Sequence, residues 1–168
     1  LLDEMAAYEE LRSVGIPHAR AVVMEADAPV PDALGLAFPV AVKILSGDVA
    51  HKSDIGGVVL NVGPDDLDAA IARVRASAAS HLPSGMHTRV MVQEMRTGVG
   101  EALIGYRVDP DVGPLVMLAP GGVLAELSTE RSLRLAPVDA DTAREMVAEL
   151  RAFRALAGYR GRPAGDLD

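Results

Sequence analysis

The chain has 168 residues, of which 49% are hydrophobic and 24% charged, with 16 Lys and Arg against 24 Asp and Glu and a formal net charge of −8. That is enough for one ordinary domain or two small lobes, and the acidic balance with three Tyr, two Phe and no Trp argues against nucleic-acid binding. The absence of cysteine excludes disulfides, thiolate metal sites and cysteine nucleophiles and fits a reducing cytoplasm.

Met5, Tyr8, Leu11 and Val14 recur at three-residue spacing behind Asp3, a candidate cap, so a helix is predicted over 3–14, stopped by Gly15 and Pro17. A short strand follows at 21–24, a brief proline-opened helix at 31–36, and strands at 39–45 and 58–62. Leu67, Ala70, Ile71, Val74 and Ala78 form one stripe of a helix over 65–81, whose early aspartates suit the positive end of its dipole. Strands are then predicted at 88–95, 101–109, 114–119, 123–127 and 132–138, before an amphipathic helix over 139–157 capped by Gly158. No apolar run approaches the ~20 residues of a membrane span, and no secretory signal opens the chain. A start at Leu1 and an end at Asp168 without a helix stop read like an excised piece. The order of elements indicates an α+β fold in two lobes, joined by a seam near 93–98.

The segment 46–58, SGDVAHKSDIGGV, carries the chemistry. Glycines let backbone N–H groups approach oxygens closely, Ser53 adds a neutral donor and Lys52 a charge, as in a phosphate-wrapping loop; a surface hairpin is the competing reading. The Walker spacing is absent. Strand alternation puts Lys43 among apolar neighbours, where a phosphate, or snorkelling to solvent, would offset its desolvation. Glu94 before the seam and Glu101 after it are placed to meet an adenine amino group and ribose hydroxyls, or else to be solvated strand-end acids. His51 is the only histidine of the loop, either a phosphoryl acceptor or polar surface; as a metal ligand beside Asp54 it lacks a third partner, and no metal site is predicted.

Taken together, VAVKILSGDVAHKSDIGGVVLNV, VQEM, GEALIGYRVDP, GPLVMLAPGGVLAEL, RLAPVD and GYRG resemble the ATP-grasp domain of NDP-forming acyl-CoA synthetases, which are similar to succinyl-CoA synthetase. The resemblance runs from about residue 3 to the end and implies two lobes of mixed or antiparallel sheet with flanking helices, gripping ATP or ADP. On it, residues 18–93 are the smaller lobe with the phosphate loop, and 94–168 with the 3–14 helix the larger lobe. The implied reaction converts acid, CoA and ATP to acyl-CoA, ADP and phosphate through a phosphohistidine on a separate CoA-ligase partner.

By the same resemblance, Lys43 contacts nucleotide phosphates, and Lys52, Ser53, Gly56, Gly57 and Val58 belong to the phosphate-covering loop. Glu94 and Met95 form the adenine-reading hinge, Glu101 binds ribose, His51 relays a phosphoryl group, and Glu126 and Arg134 stand beside the phosphates. Three departures are visible: Leu118-Ala119-Pro120-Gly121-Gly122 where the family has Gly-Leu-Gly-Gly, Glu130 for an Asp, and Val112 for a Phe. The strand that would carry magnesium ligands is expected after Asp168. A regulatory, synthetase-like module of a protein acetyltransferase is the alternative function.

Overall fold

The computed structural model describes residues 2–31, 34–47, 49, 52–83, 88–122, 124–158, 161 and 163–167, with only the backbone of Leu124 and Glu126. Two compact units emerge, Leu1–Arg96 and Thr97–Asp168.

The first unit opens with α1 (Glu4–Ser13), capped by the Asp3 carboxylate, which accepts from Ala6 N at 2.9 Å. Four strands, β1 (Ala21–Glu25), β2 (Val40–Leu45), β3 (Val58–Val62) and β4 (Arg89–Glu94), pair antiparallel in the order β1-β4-β2-β3. A 3-10 turn at Pro64–Asp66 leads into α2 (Leu67–His81). Period-two alternation sends Val40, Val42 and Ile44 to one face with Val90, Val92, Met24 and Val62. The stripe Ala70, Ile71, Val74 and Ala78 of α2 closes that core.

The opposite face carries Ala41, Lys43 and Leu45 opposite Gln93, Met91 and Arg89. Here α1 is bound by polar contacts, Arg89 to Asp3 and Lys43 to Glu4, and none of its residues is fully buried. The opening helix, expected with the larger lobe, is thus held in the first unit by two consecutive carboxylates, its cap and its first residue, paired with two strand cations. The helix expected over 31–36 is not formed by its described residues; Gly35 is left-handed at φ 62°, while Leu34 and Leu36 pack against the α2-side core. Asp32 and Ala33 lie outside the described residues.

The second unit has β5 (Ala102–Asp109), β6 (Gly113–Pro120) and β7 (Ser132–Leu135), antiparallel with β6 in the middle. The strand expected at 123–127 is instead a short helix, α3 (Leu124–Leu127). Gly122, at φ 59°, turns the chain away from β6, and Leu-Ala-Glu-Leu is helix-favouring. The final helix expected over 139–157 is divided: α4 (Ala140–Glu149) is capped by Asp139, Leu150 is extended, and a 3-10 stretch covers Arg151–Ala157. The apolar spacing explains the break. Met146 and Leu150 are four apart, but Leu150, Phe153 and Leu156 recur every three, the period of a 3-10 helix, and all pack with Leu118 in one cluster. Among the described residues no helix is long and apolar enough to cross a membrane.

Two expectations follow. A Cβ on Gly57 would lie 2.6 Å from Ile44 Cδ1 and 2.9 Å from the Lys52 carbonyl oxygen, and Ile44 is fully buried. Gly57→Ala is therefore expected to lower the unfolding free energy in urea by about 1–3 kcal/mol, and an unchanged midpoint would refute this packing. Asp3 titrates below the ordinary aspartate value of 3.8, first because Ala6 N–H bonds its carboxylate, with Arg89 adding to this against the effect of burial. A carboxyl with a depressed folded pKa contributes stability that is present above its unfolded pKa and lost as pH falls through the folded one. Asp3→Asn keeps a capping acceptor but removes this titration, so the loss of stability below about pH 3.8 should be shallower than in the wild type when urea midpoints are followed with pH.

Candidate functional site

In the first unit the candidate site is built around Lys43 in the middle of β2. Its neighbours Val42 and Ile44 point into the α2-side core, so the lysine is delivered to the other face by strand geometry alone. Its ammonium donates to Glu4 Oε1 at 2.6 Å and to Gln93 Oε1 at 2.8 Å. Lys52, in the loop between β2 and β3, donates to the other carboxylate oxygen, Glu4 Oε2, at 3.1 Å. One carboxylate therefore bridges two of the cations that the sequence assigns to phosphate.

Tyr8 closes the arrangement into a ring. Its hydroxyl donates to Glu4 Oε1 at 2.8 Å and accepts from Gln93 Nε2 at 2.9 Å, while its ring stacks on His18 with centroids 4.6 Å apart. Burial pushes the Glu4 carboxyl up, but the hydrogen bonds from Lys43, Tyr8 and Lys52 and the charge of Lys43 outweigh it and hold the group below its usual range. Burial raises the Tyr8 phenol. At neutral pH Glu4 is thus anionic and Tyr8 a neutral donor. Lys43, Lys52 and Glu4 are 19%, 17% and 23% exposed at their side chains, and the three together carry one net positive charge in a largely desolvated place.

The loop itself is a set of tight turns folded back on β2. Gly57 N donates to the Lys52 carbonyl at 2.8 Å, Gly56 N to that of Ser53 at 3.0 Å, and Ile44 N to that of Gly57 at 2.8 Å. Gly56 is left-handed at φ 68°, and Gly57 has no room for a Cβ. Both glycines are accordingly required by the turn, and both amides donate within it. Ser53 is exposed, Val58 pairs with Lys43 across the β2–β3 ladder, and His51 lies outside the described residues.

Glu94 is nearly fully buried at the end of β4. Its carboxylate accepts from Ala37 N at 2.9 Å and from Arg96 at 2.7 Å, with Arg20 at 3.7 Å, so the side chain anchors the 34–38 segment and is ringed by protein partners. Met95 N donates to the Pro39 carbonyl at 3.0 Å, and its sulfur accepts from Asn61 N at 3.1 Å.

In the second unit the Glu101 carbonyl accepts from Gly121 N at 2.8 Å, and its carboxylate lies over Gly122, where a Cβ would come within 2.5 Å of Oε2. Arg134 forks onto Glu149 of α4, with Nη1 also donating to the Leu133 carbonyl at 3.0 Å; this bond to Glu149 raises the guanidinium and lowers the carboxylate. Arg134 is thereby committed to the α4 side of its sheet. The other side holds a cavity of about 470 Å³ lined by Gly105, Arg107, Leu115, Met117, Arg131 and Leu133. Glu126 has only its backbone described, in α3.

Within the first unit the structure brings Lys43 and Lys52 together; within the second, Arg134 is turned to Glu149 of α4. Glu4, Tyr8 and Gln93 are residues of the arrangement around Lys43 that sequence reasoning missed. They sit 39 or more positions from the residues they serve, or amid apolar strand neighbours, and only the i, i+4 spacing of Glu4 and Tyr8 hinted at a pair. A magnesium ion needs about six oxygen ligands. Proteins commonly supply only one or two of these as carboxylates, the rest coming from phosphate oxygens and water, and among the described residues no three His, Asp or Glu side chains are grouped to hold a metal ion by themselves.

Against known proteins, the ATP-grasp domain family matches residues 1–168. The chain is 41% identical over 133 residues to acetate–CoA ligase [ADP-forming] I of Archaeoglobus fulgidus, an alignment covering 79% of this chain and 19% of that protein. It is 33% identical over 162 residues to acetate–CoA ligase [ADP-forming] I subunit beta of Pyrococcus furiosus, covering 95% of this chain and 70% of the subunit. Among solved structures, acetyl-coenzyme A synthetase 1 of Ca. Korarchaeum cryptofilum, in complex with coenzyme A and Ca-AMPCP, superposes with a TM-score of 0.84 at 31% identity, over 99% of this chain and 73% of that one. The chain therefore spans about a fifth of the Archaeoglobus protein and most of the Pyrococcus subunit. The match along all 168 residues and the agreement in fold place the chain in the ATP-grasp domain family.

Proposed function

We propose that this chain is the nucleotide-binding part of an ADP-forming acyl-CoA synthetase, in which acid, CoA and ATP are converted to acyl-CoA, ADP and phosphate. The observation that carries the reading is the half-buried pair Lys43 and Lys52 with a single carboxylate between them: one uncompensated positive charge, shielded from water, is a place for an anion. Two of the three ammonium hydrogens of Lys43 and one of Lys52 are engaged among the described residues, which leaves donors for phosphate oxygens. The family match and the nucleotide-analogue complex of the Korarchaeum relative support ATP or ADP as the source of that anion.

In this reading Lys43 and Lys52 hold the phosphates and the exposed Ser53 covers them from the loop. Glu94 acts indirectly, by fixing the 34–38 segment through Ala37, so that Met95 and the hinge backbone meet the adenine edge. Glu101, shaped by the glycine turn beneath it, takes the ribose hydroxyls. Arg134 supports α4 through Glu149. His51 accepts a phosphoryl group: an imidazole nitrogen bonds to the γ-phosphorus of ATP as the bond from that phosphorus to the β,γ-bridging oxygen breaks, and ADP leaves with that oxygen. Acyl transfer then takes place on a CoA-ligase partner carrying the main phosphohistidine; the subunit naming of the Pyrococcus relative supports a partner subunit. Magnesium would neutralise the phosphates when bound, with ligands outside the residues described.

Calorimetry with ADP tests the assignment. A charge-assisted hydrogen bond contributes roughly 1.5–3 kcal/mol, so Lys43→Ala should weaken binding by about 10- to 100-fold. Glu101→Ala should weaken ADP binding while leaving inorganic pyrophosphate unaffected, because it touches only the sugar. Wild-type protein that ignores ADP, or a Lys43→Ala variant that binds it equally well, would refute the nucleotide site. Incubating the complete enzyme with labelled ATP should place acid-labile label on His51, and label that persists in His51→Ala would remove its relay role.

A further inference from the structure

We infer that Glu4 is a positioning residue for anion binding: its carboxylate brings the ammonium groups of Lys43 and Lys52 to one point, so that both meet the same phosphate. The inference rests on the phosphate reading above only for the identity of the anion.

The geometry separates this role from two others. A mere surface ion pair would engage one cation and stand in water, whereas Glu4 uses both oxygens on two different cations from a site less than a quarter exposed. A displaceable stand-in for phosphate would hang on a mobile side chain. Glu4 instead is the first residue of α1, next to the Asp3 cap that is itself tied to Arg89, and it sits in a closed ring with Tyr8, Gln93 and Lys43. Leaving its place would break three hydrogen bonds to charged or buried partners.

The consequence of removing the charge follows from Coulomb's law. Lys43 is fixed by strand pairing, but Lys52 rides on a loop, and its ammonium is directed to Lys43 through Glu4. Without the carboxylate, two like charges of low exposure repel, and the loop lysine is the one free to turn away. A glutamine does not substitute, because its NH2 faces one of the two ammonium groups donor to donor. An incoming phosphate then meets Lys43 alone.

Titration of the complete chain with inorganic pyrophosphate and with ADP by calorimetry tests this, using the wild type, Glu4→Gln, Glu4→Asp, Lys52→Ala and the double variant Glu4→Gln/Lys52→Ala. Glu4→Gln should raise the dissociation constant of both probes by about tenfold or more, the loss of one charged contact. Glu4→Asp should recover part of that affinity, and Glu4→Gln should cost clearly less in the Lys52→Ala background, where one of the two cations is already gone. A Glu4→Gln variant with a lowered melting temperature but unchanged affinity would make the residue merely structural; tighter binding would make it a competitor; either overturns the inference. If Glu4→Gln does not fold, Tyr8→Phe, which removes one bond holding the carboxylate, should weaken pyrophosphate binding to a smaller degree, and unchanged affinity overturns the inference equally. Wild-type protein that binds pyrophosphate but not ADP would refute the nucleotide reading and leave Glu4 to be judged on pyrophosphate; binding of neither overturns both.

Discussion

The organisation of the first unit depends on one shared carboxylate. Glu4 receives Lys43 on one oxygen and Lys52 on the other, and through them it joins α1, the middle of β2 and the loop that follows. Burying three charges costs desolvation that their attraction recovers only as far as hydrogen bonds satisfy the groups; here both oxygens of Glu4 are engaged, while Lys43 and Lys52 keep donors unengaged among the described residues. The triad is still not neutral. Its surplus positive charge is local, which is how a chain with a net charge of −8 can present an attractive site to a polyanion.

Function here is a by-product of sheet alternation. The residues of β2 that point one way, Val40, Val42 and Ile44, are fully buried against α2 and fix the strand. The alternate positions are then presented to the other face with no freedom of their own, and Lys43 inherits a defined place from its apolar neighbours. Gln93, on the same face of the adjacent strand and two residues along from Met91, which pairs with Lys43, receives its place in the same way and turns it into a second acceptor for the lysine. The glycines of the loop follow a related logic: Gly57 must lack a side chain so that the turn can lie on Ile44, and only then does Lys52 come within reach of Glu4.

Much of this was legible in the sequence. Period-two alternation located Lys43, the helical stripe located the core face of α2, and Asp3 was recognisable as a cap. The ordered motifs identified the family, which residues 1–168 match. What escaped was of two kinds. Long-range polar pairing leaves no local trace, so neither Glu4 bridging two lysines nor Glu94 anchoring Ala37 could be read from spacing. Short apolar stretches are also ambiguous in period: residues 124–127 formed a helix where a strand was expected, and the shift from a four-residue to a three-residue repeat at Leu150 divided what looked like one long helix.

The central claim is that one carboxylate and two lysines form a single seat for a nucleotide phosphate. A crystal structure of the chain grown with ADP tests it most directly. The account predicts a phosphate oxygen within hydrogen-bond distance of both Lys43 Nζ and Lys52 Nζ, with Glu4 still bridging the two ammonium groups. ADP bound with its phosphates away from these lysines, or Glu4 swung out with the phosphate in its place, would contradict it.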